Sequence, residues 1–554
     1  MASLDLPLRA GVAPLPAGVK AGRAGAVALP FAPVGATVRV APRAVVDGVL
    51  YGEPINSTGG SVVIEPGPHA VAPRCKYYGG ACGGCAFQST SDAAQGAAKA
   101  AWVARCMATA LPSSHADALA AATLPLWHAV PAYGYRNRAE MTVAGATGEL
   151  GFFPYRPPPA RWQPTVTPVD ECHLLPPPVS AAFRAVRRAL ASLGSEATVA
   201  HVTAVAVRAA AAGELMVTVR ATNADTAFDA LSHDTFTAPL RSGLEAEGID
   251  AAAVSLVLSH HPTSIPRATV RALRDACATA APTPAGRADA LLAAKAAYLA
   301  GVQRVVFGPG VLTTRTSLPL ASALPPPLAS LWTALTGTPP SAAPLRDATL
   351  TARVSPLAFA QPSDAGAAAI AAAVATAVAG VLPAASAARA EGGAVAWDMF
   401  CGGGALGLAA VATHAVSRVV GIDINPAAVA DAAAAADANG VPRTAASYLC
   451  ADLLGSAVVS TPRGVAIGAA HLPRPHVVIL DPPRPGVGPR MLAALRDLAP
   501  PAIVYVSCNP ASLAADVGTL VRDCAYTVAA LLPVDQFPHT PHVEAIAVLR
   551  KATP

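Results

Sequence analysis

Ala396-Trp-Asp-Met-Phe-Cys-Gly-Gly-Gly-Ala-Leu-Gly407 decides the fold. The apolar run from Gly393 to Phe400 predicts a buried parallel strand. It breaks into a glycine turn and then into an alanine-rich helix. Gly402, Gly404 and Gly407 are spaced G-x-G-x-x-G. Such glycines permit positive φ and leave no Cβ in the way, so a ligand can lie against the backbone at a helix N-terminus. A second strand is predicted over 418–422, with Asp423 directly after it. An acid about 20 residues beyond the turn suits a ribose hydroxyl pair. The centre of the chain therefore reads as a nucleoside-cofactor pocket, and both a dinucleotide and S-adenosylmethionine (SAM) meet the pattern.

Downstream, a helix over 432–440 stops at Asn439-Gly440. Asp452 follows a third strand, where an adenine amino group can be met. A fourth strand over 476–480 leads into Asp481-Pro-Pro-Arg-Pro-Gly486, and a fifth over 502–507 into Cys508-Asn509-Pro510. The stretch Gln536 to Glu544 precedes a closing strand at 545–549. Strand–loop–helix units in this order predict an open parallel sheet with ligands at the carboxyl ends of its strands. Asp423, Asp452, Asp481 and Cys508 all fall at such ends.

A dehydrogenase accounts for the glycine turn and Asp423 but not for Asp-Pro-Pro-Arg or a cysteine after the fifth strand. An amino-methyltransferase carries an aromatic after Asp-Pro-Pro, where Arg484 stands here. The cysteine fits a different chemistry. C5 of uracil is a poor nucleophile until a thiolate adds at C6, which lets C5 accept a methyl group from a sulfonium. A base must then take the C5 proton so that the cysteine can leave. One cysteine and one carboxylate are the minimum set, and Cys508 and Glu544 supply it.

Upstream, Cys75, Cys82 and Cys85 are spaced C-x6-C-x2-C among glycines, a pattern that calls for a metal. Cys106 and Cys172 are the candidate fourth ligands, and zinc and an iron–sulfur cluster both suit the spacing. Tyr135-Arg-Asn-Arg-Ala-Glu140 opens a predicted β-hairpin in which Arg136 and Arg138 either touch phosphate or line a solvated edge. Between 180 and 350, helices are expected over 182–193 and 289–299 and strands over 203–209 and 215–221. Cys277, His260 and His261 read as incidental.

Composition sets outer bounds. The chain has 554 residues, enough for about three domains, with 53% hydrophobic and 13% charged residues. Much of the apolar content is alanine. The uncharged run Ala365 to Ala388 reaches membrane-spanning length but reads as a soluble helix because large apolar residues are few and Pro383 interrupts it. A net charge of +5 permits nucleic acid as a partner without demanding it. Ten scattered cysteines favour a reducing compartment. Residues 1–70 carry a few strand-like runs, at 36–40 and 61–64, and read as a transit segment or a small β domain.

The segments Phe359-Ala-Gln361, Asp398-Met-Phe-Cys-Gly-Gly-Gly404, Asp481-Pro-Pro-Arg484, Val506-Ser-Cys-Asn-Pro510 and His542-Val-Glu544 resemble the RNA 5-methyluridine methyltransferases. The cysteine motif and Tyr135-Arg-Asn-Arg-Ala-Glu140 resemble the iron–sulfur branch of that family, whose bacterial members modify ribosomal RNA. The resemblance implies an α/β architecture: a Rossmann-like, SAM-dependent methyltransferase sheet over 351–554, a central α+β RNA-binding domain over 71–350 and an N-terminal segment over 1–70, read as a degenerate β-barrel. It implies Cys508 as nucleophile and Glu544 as base. It implies SAM contacts from Gln361, Phe400, Gly402, Gly404, Asp423, Asp452 and Asp481, and a [4Fe-4S] cluster on Cys75, Cys82, Cys85 and Cys172. An RNA substrate, ribosomal rather than transfer RNA, is expected. So are a monomer, no membrane partner, and a cytoplasmic or organellar rather than secreted location. The alternative is a non-catalytic RNA-binding protein that retains the fold. Four departures stand out: one extra residue between Cys75 and Cys82, Ala405 in place of a polar residue, Ser363 where asparagine is usual, and no recognisable N-terminal RNA-binding β-barrel of the branch in residues 1–70.

Overall fold

The computed structural model describes residues 67–552 apart from 145–146, 155–164, 194–198, 223, 260–302, 322–323, 357, 383–392, 454–457, 462–463 and 468–469, and six strands between residues 4 and 65. Cys277, His260, His261 and the helix expected over 289–299 lie outside the described residues.

The decisive stretch forms the strand Val395–Met399 and the helix Ala405–Ala412, joined by the glycine turn. Five parallel strands run across the sheet in the order Ala446–Cys450, Arg418–Asp423, Val395–Met399, Val477–Leu480 and Ala502–Ser507. Each is a short apolar run, as expected where both faces are covered. Glu544–Lys551 then inserts antiparallel, and Tyr526–Asp535 pairs with it from outside. The last edge is closed from upstream: Trp127–His128 pairs with Val534 and Asp535. That short strand covers an edge otherwise open to another chain.

The two faces of the sheet make separate cores. On one lies Asp364–Val381 with Ala405–Ala412 and Pro326–Thr336. Asp364–Val381 is the one helix among the described residues long and apolar enough to cross a membrane, and it is mostly buried in the protein. Its alanines allow close approach: a Cβ at Gly380 would stand 3.0 Å from Leu335. Ser363 caps this helix, its side chain accepting from Gly366 N–H at 3.2 Å, so serine does the capping work of an asparagine here. On the other face lie Gly488–Leu498, Pro510–Cys524 and the upstream helix Asp92–Ala110.

A seven-stranded sheet occupies the middle of the chain, in the order Thr167–Pro168, Glu149–Phe152, Arg138–Ala144, Val202–Ala209, Leu215–Ala221, Val254–Ser259, Gln303–Phe307. The helices Pro177–Ser192 and Asp234–Ala246 cover one of its faces. The N-terminal strands form a further sheet, in which Thr37–Val46 pairs antiparallel with Leu4–Pro7, Val49–Pro54 and Val63–Glu65. Sequence reading found only isolated runs there, because Gly and Pro breaks hide the pairing.

One ion pair ties the upstream helix to the C-terminal sheet. Lys99 Nζ lies 2.7 Å from Asp535 Oδ1, with both side chains buried, and also donates to the Phe537 carbonyl at 3.0 Å. Removing one partner strands the other charge in the interior. Lys99→Met is expected to cost about 3–5 kcal/mol in denaturant unfolding, and adding Asp535→Leu should recover part of that loss.

Candidate active site

Cys508 stands at the carboxyl end of Ala502–Ser507, directly before the helix Pro510–Cys524. Asn509 caps that helix by accepting from Ala511 N–H at 3.2 Å, and Pro510 occupies its first turn. The thiol therefore sits near a helix N-terminus, which favours an anion. Glu544 opens the antiparallel neighbour. Ser507 pairs with Ala545, so the next rung brings Cys508 beside Glu544.

Three loops complete the cleft. The Asp481-Pro-Pro-Arg484 turn is held from below by Asp516, which accepts from Val487 N–H at 2.9 Å and from the Tyr505 hydroxyl at 2.6 Å. The Arg484 carbonyl accepts from Asn509 and Ser512. Its guanidinium reaches His542 Nδ1 at 3.0 Å and hydrogen-bonds the Cys508 thiol. Gln536 is fully buried and donates from Nε2 to Glu544 Oε1 at 3.0 Å and to Gln361 Oε1 at 3.2 Å. Trp102, Arg484, Cys508, Asn509, Pro510 and His542 line a cavity of about 190 Å³.

The electrostatics suit proton transfer. Burial pushes the Glu544 carboxyl up to about 8, with Asp481 adding to the rise and Gln536 and Arg484 opposing it. Burial also raises the Cys508 thiol, as does Glu544, while the Arg484 guanidinium pulls it down. Deprotonating the thiol is thus easiest when Glu544 is neutral and Arg484 is in place.

The glycine turn lies at the carboxyl ends of the neighbouring strands. Phe400 takes φ 63°, a conformation that is costly for an aromatic residue and typical of a ligand clamp. Asp423 accepts from Gly402 N–H at 2.9 Å and from Asn425 N–H at 2.8 Å, so it fixes the turn. A Cβ at Gly402 or Gly403 would meet nothing within 4 Å. At Gly407 it would fall 2.6 Å from Val419 and 2.9 Å from Asp398, so that glycine serves helix–strand packing. Asp398 is fully buried and accepts from Gly407 N–H at 2.8 Å, while its Oδ1 has no partner. Burial raises both Asp398 and Asp481 to about 7. An open glycine floor, an orphaned buried carboxylate oxygen and a strained aromatic fit a nucleoside-bearing cofactor.

All the cofactor residues expected from sequence thus lie along the carboxyl ends of the parallel strands, except Gln361, which arrives from the 355–362 loop and meets Gln536. Asp452 follows the strand Ala446–Cys450. Gln536, Lys99 and Trp102 were missed by sequence reading. The stretch 536–544 was singled out, but only the pairing of strands reveals that Gln536 reaches back to Glu544.

The cysteines divide by geometry. Cys106 packs against the C-terminal core, away from the motif. Cys75, Cys82, Cys85 and Cys172 lie within one another's electrostatic reach. Burial, and then the neighbouring thiols Cys172, Cys82 and Cys75, push Cys85 up to about 12. Burial, and then Cys82 and Cys75, raise Cys172. Among the described residues no three His, Cys, Asp or Glu side chains close on a common point as a single metal ion requires. Crowded thiols that hold each other protonated are a donor set that a cationic centre relieves. Of the two hairpin arginines, Arg138 lies half-buried on the sheet face opposite the helix-covered core, and Arg136 lies on the approach to that strand.

Residues 368–552 match the family model of tRNA (uracil-5-)-methyltransferases. An uncharacterized RNA methyltransferase of Nitratidesulfovibrio vulgaris is 41% identical over 153 residues, 28% of this chain and 30% of that protein. The 23S rRNA (uracil(747)-C(5))-methyltransferase RlmC of Shewanella pealeana is 37% identical over 158 residues, 28% of this chain and 37% of that protein. The matched region thus spans about a third of the curated relatives' length. The crystal structure of Pyrococcus abyssi tRNA (uracil-54, C5)-methyltransferase with S-adenosyl-L-homocysteine superposes with TM-score 0.60 at 17% identity, covering 99% of this chain and 100% of that one. The fold is therefore shared along the whole length.

The raised Glu544 carboxyl makes stability depend on pH. Folding favours its neutral form, so it carries no penalty below its ordinary value of 4.5 and destabilises progressively as pH rises through about 8. Glu544→Gln is expected to melt a few degrees above the parent at about pH 9 and to converge with it at about pH 5.

Proposed function

We propose that this protein, whose residues 368–552 belong to the RNA uracil-5-methyltransferase family, transfers a methyl group from SAM to C5 of a uridine in RNA. The observation that carries the proposal is the meeting of Cys508 and Arg484 at one cavity, with the buried Glu544 on the rung beside Cys508. Gln361, Phe400, Gly402, Gly404, Asp423, Asp452 and Asp481 would hold SAM, which supplies an electrophilic methyl group.

The chain's own residues do the rest. Arg484 and the helix N-terminus stabilise the Cys508 thiolate, which adds to C6 of the uracil ring. Electron density then moves to C5, which takes the methyl group. Glu544, a much stronger base than an ordinary carboxylate, removes the C5 proton, and the C6–S bond breaks as the double bond returns. Gln536 orients Glu544 by its hydrogen bond. A uridine must leave its stack to enter a cavity of this size, and Trp102, 41% exposed at the rim, offers an aromatic face to a base. Ribosomal RNA ranks ahead of transfer RNA, supported by the likeness of the cysteine motif to the rRNA-modifying branch.

Purified protein, labelled SAM and RNA lacking 5-methyluridine test the reading. Label is expected in 5-methyluridine, absent with Cys508→Ala. Glu544→Ala should accumulate a covalent RNA–protein adduct stable to denaturing gels, because C5 deprotonation no longer releases the cysteine. Label in another nucleoside would sink the proposal.

Cys75, Cys82, Cys85 and Cys172 are proposed as ligands of a [4Fe-4S] cluster, a reading supported by the four-thiol donor set and by the electrostatic influence of the thiols on one another. The motif backbone touches the catalytic loop: Ala86 and Phe87 N–H both donate to the His539 carbonyl, at 2.8 and 3.0 Å. Anaerobically purified protein is expected to contain iron and visible absorbance, both lost in Cys85→Ser, with turnover falling as the loop loses its anchor. Stoichiometric zinc in place of iron would overturn the cluster.

A further inference from the structure

The upstream helix Asp92–Ala110 is fixed on the catalytic domain from several directions. Lys99 is paired with Asp535, Gln95 holds the His539 backbone, and Val103 and Met107 are fully buried in the core shared with Pro510–Cys524. Ala93, Ala97, Ala101 and Ala108 occupy much of its exposed side. Trp102 breaks that pattern. It stands between the buried Lys99 and the buried Val103, so its backbone is firmly placed, yet the residue is 41% exposed. It lies on the wall of the cavity that holds Cys508, Arg484 and His542.

A single exposed apolar residue calls for no explanation by itself. Trp102 differs in where it stands and in what stands beside it. The Arg105 guanidinium, one position further along the helix surface, lies 5.5 Å from the centroid of the indole, within cation–π range. One face of the ring is thus backed by a positive charge. Arg484 lines the same cavity. An aromatic plane accompanied by guanidinium groups suits a nucleobase together with its phosphate.

We propose that Trp102 is the stacking platform for the nucleobase adjoining the target uridine, with Arg105 beside the phosphate that links the two nucleotides. This assignment rests on the uridine reading above. The target itself is placed elsewhere: its C6 must meet the Cys508 thiol, which stands with Arg484 and Asn509 at the carboxyl end of Ala502–Ser507. Withdrawal of that base from the strand leaves its neighbour with one bare face, and the exposed indole replaces the lost partner. Stacking reads no hydrogen-bonding edge, so the preference it gives is graded, a purine ahead of a pyrimidine. Trp102 is then a specificity residue for the flanking position, not for the uracil.

The test uses the full chain and three probes: an oligoadenylate with one central uridine, and the same oligonucleotide with an abasic residue directly 5′ or directly 3′ of that uridine. Trp102→Ala is expected to weaken binding of the intact probe about ten-fold, and Trp102→Phe, which keeps an aromatic plane, about three-fold or less. One of the two abasic probes should bind the parent about ten-fold more weakly than the intact probe, and Trp102→Ala should no longer distinguish them. SAM affinity checks that each variant is folded. Unchanged affinity in Trp102→Ala overturns the proposal. So does equal weakening of the intact and both abasic probes, which puts Trp102 on the target uracil or within the fold. A parent that binds both abasic probes as tightly as the intact one overturns it without any variant. Failure of the uridine reading is distinguishable, since it appears as absent methyl transfer by the parent while the dependence on the neighbouring base persists.

Discussion

The buried pair Lys99–Asp535 fixes the loop on which the catalytic geometry depends. Asp535 ends the strand Tyr526–Asp535, and Glu544 begins the next, so the segment between them sets where the base stands. That segment has little regular structure of its own. It is held instead by upstream residues: Lys99 on Asp535 and the Phe537 carbonyl, Gln95 Oε1 accepting from His539 N–H at 2.8 Å, and the Tyr135 hydroxyl donating to the Pro538 carbonyl at 3.1 Å. His539 takes φ 65°, a strained conformation that these bonds over-determine. The catalytic loop is thus built by two distant parts of the chain, and neither half makes the site alone.

The same arrangement gives the cysteine motif a mechanical connection to catalysis. Residues 86 and 87 bond directly to His539, and Gly83 N–H bonds to Phe153 of the central hairpin at 3.0 Å. Whatever rigidifies the cysteine loop therefore rigidifies the loop that carries the base. His539 lies five residues before Glu544, whose basicity depends on being almost fully enclosed.

Much of the C-terminal sheet was legible because its signals are local. The apolar runs at 395–399, 418–423, 477–480 and 502–507 are short and end at polar residues, and the glycine turn is contiguous. Cys508 and Glu544 were singled out because uracil chemistry calls for that pair of side chains, and the strand register places them side by side. The role of Gln536 was not, since its partners Gln361 and Glu544 are brought together only by the antiparallel insertion of the last strand. The upstream helix Asp92–Ala110 shows the same limit: its apolar face reads equally well against any core, and only the structure assigns it to Pro510–Cys524. Arg138 read as a phosphate contact or a solvated edge. Its surroundings could not be read locally, because Arg208 and Arg220, which share its recess, arrive from strands 70 and more residues away.

The segment from Ser355 to Asp364 joins the two sheets into one working surface. At one end Ser355 is held by Asp431 of the C-terminal domain, and the Ala358 carbonyl receives Arg208 of the central sheet. At the other, Asn137 N–H donates to the Pro362 carbonyl at 2.8 Å and the Asn137 amide to Asp364 at 2.6 Å, while Gln361 meets Gln536. Every few residues the segment thus alternates between partners in the central sheet and partners at the catalytic cleft. Arg208 thus bonds the same short stretch of backbone that positions Gln361 against the Gln536–Glu544 pair. The position of Gln361, and through it the Gln536–Glu544 pair, is therefore set from the central sheet as much as from the C-terminal one.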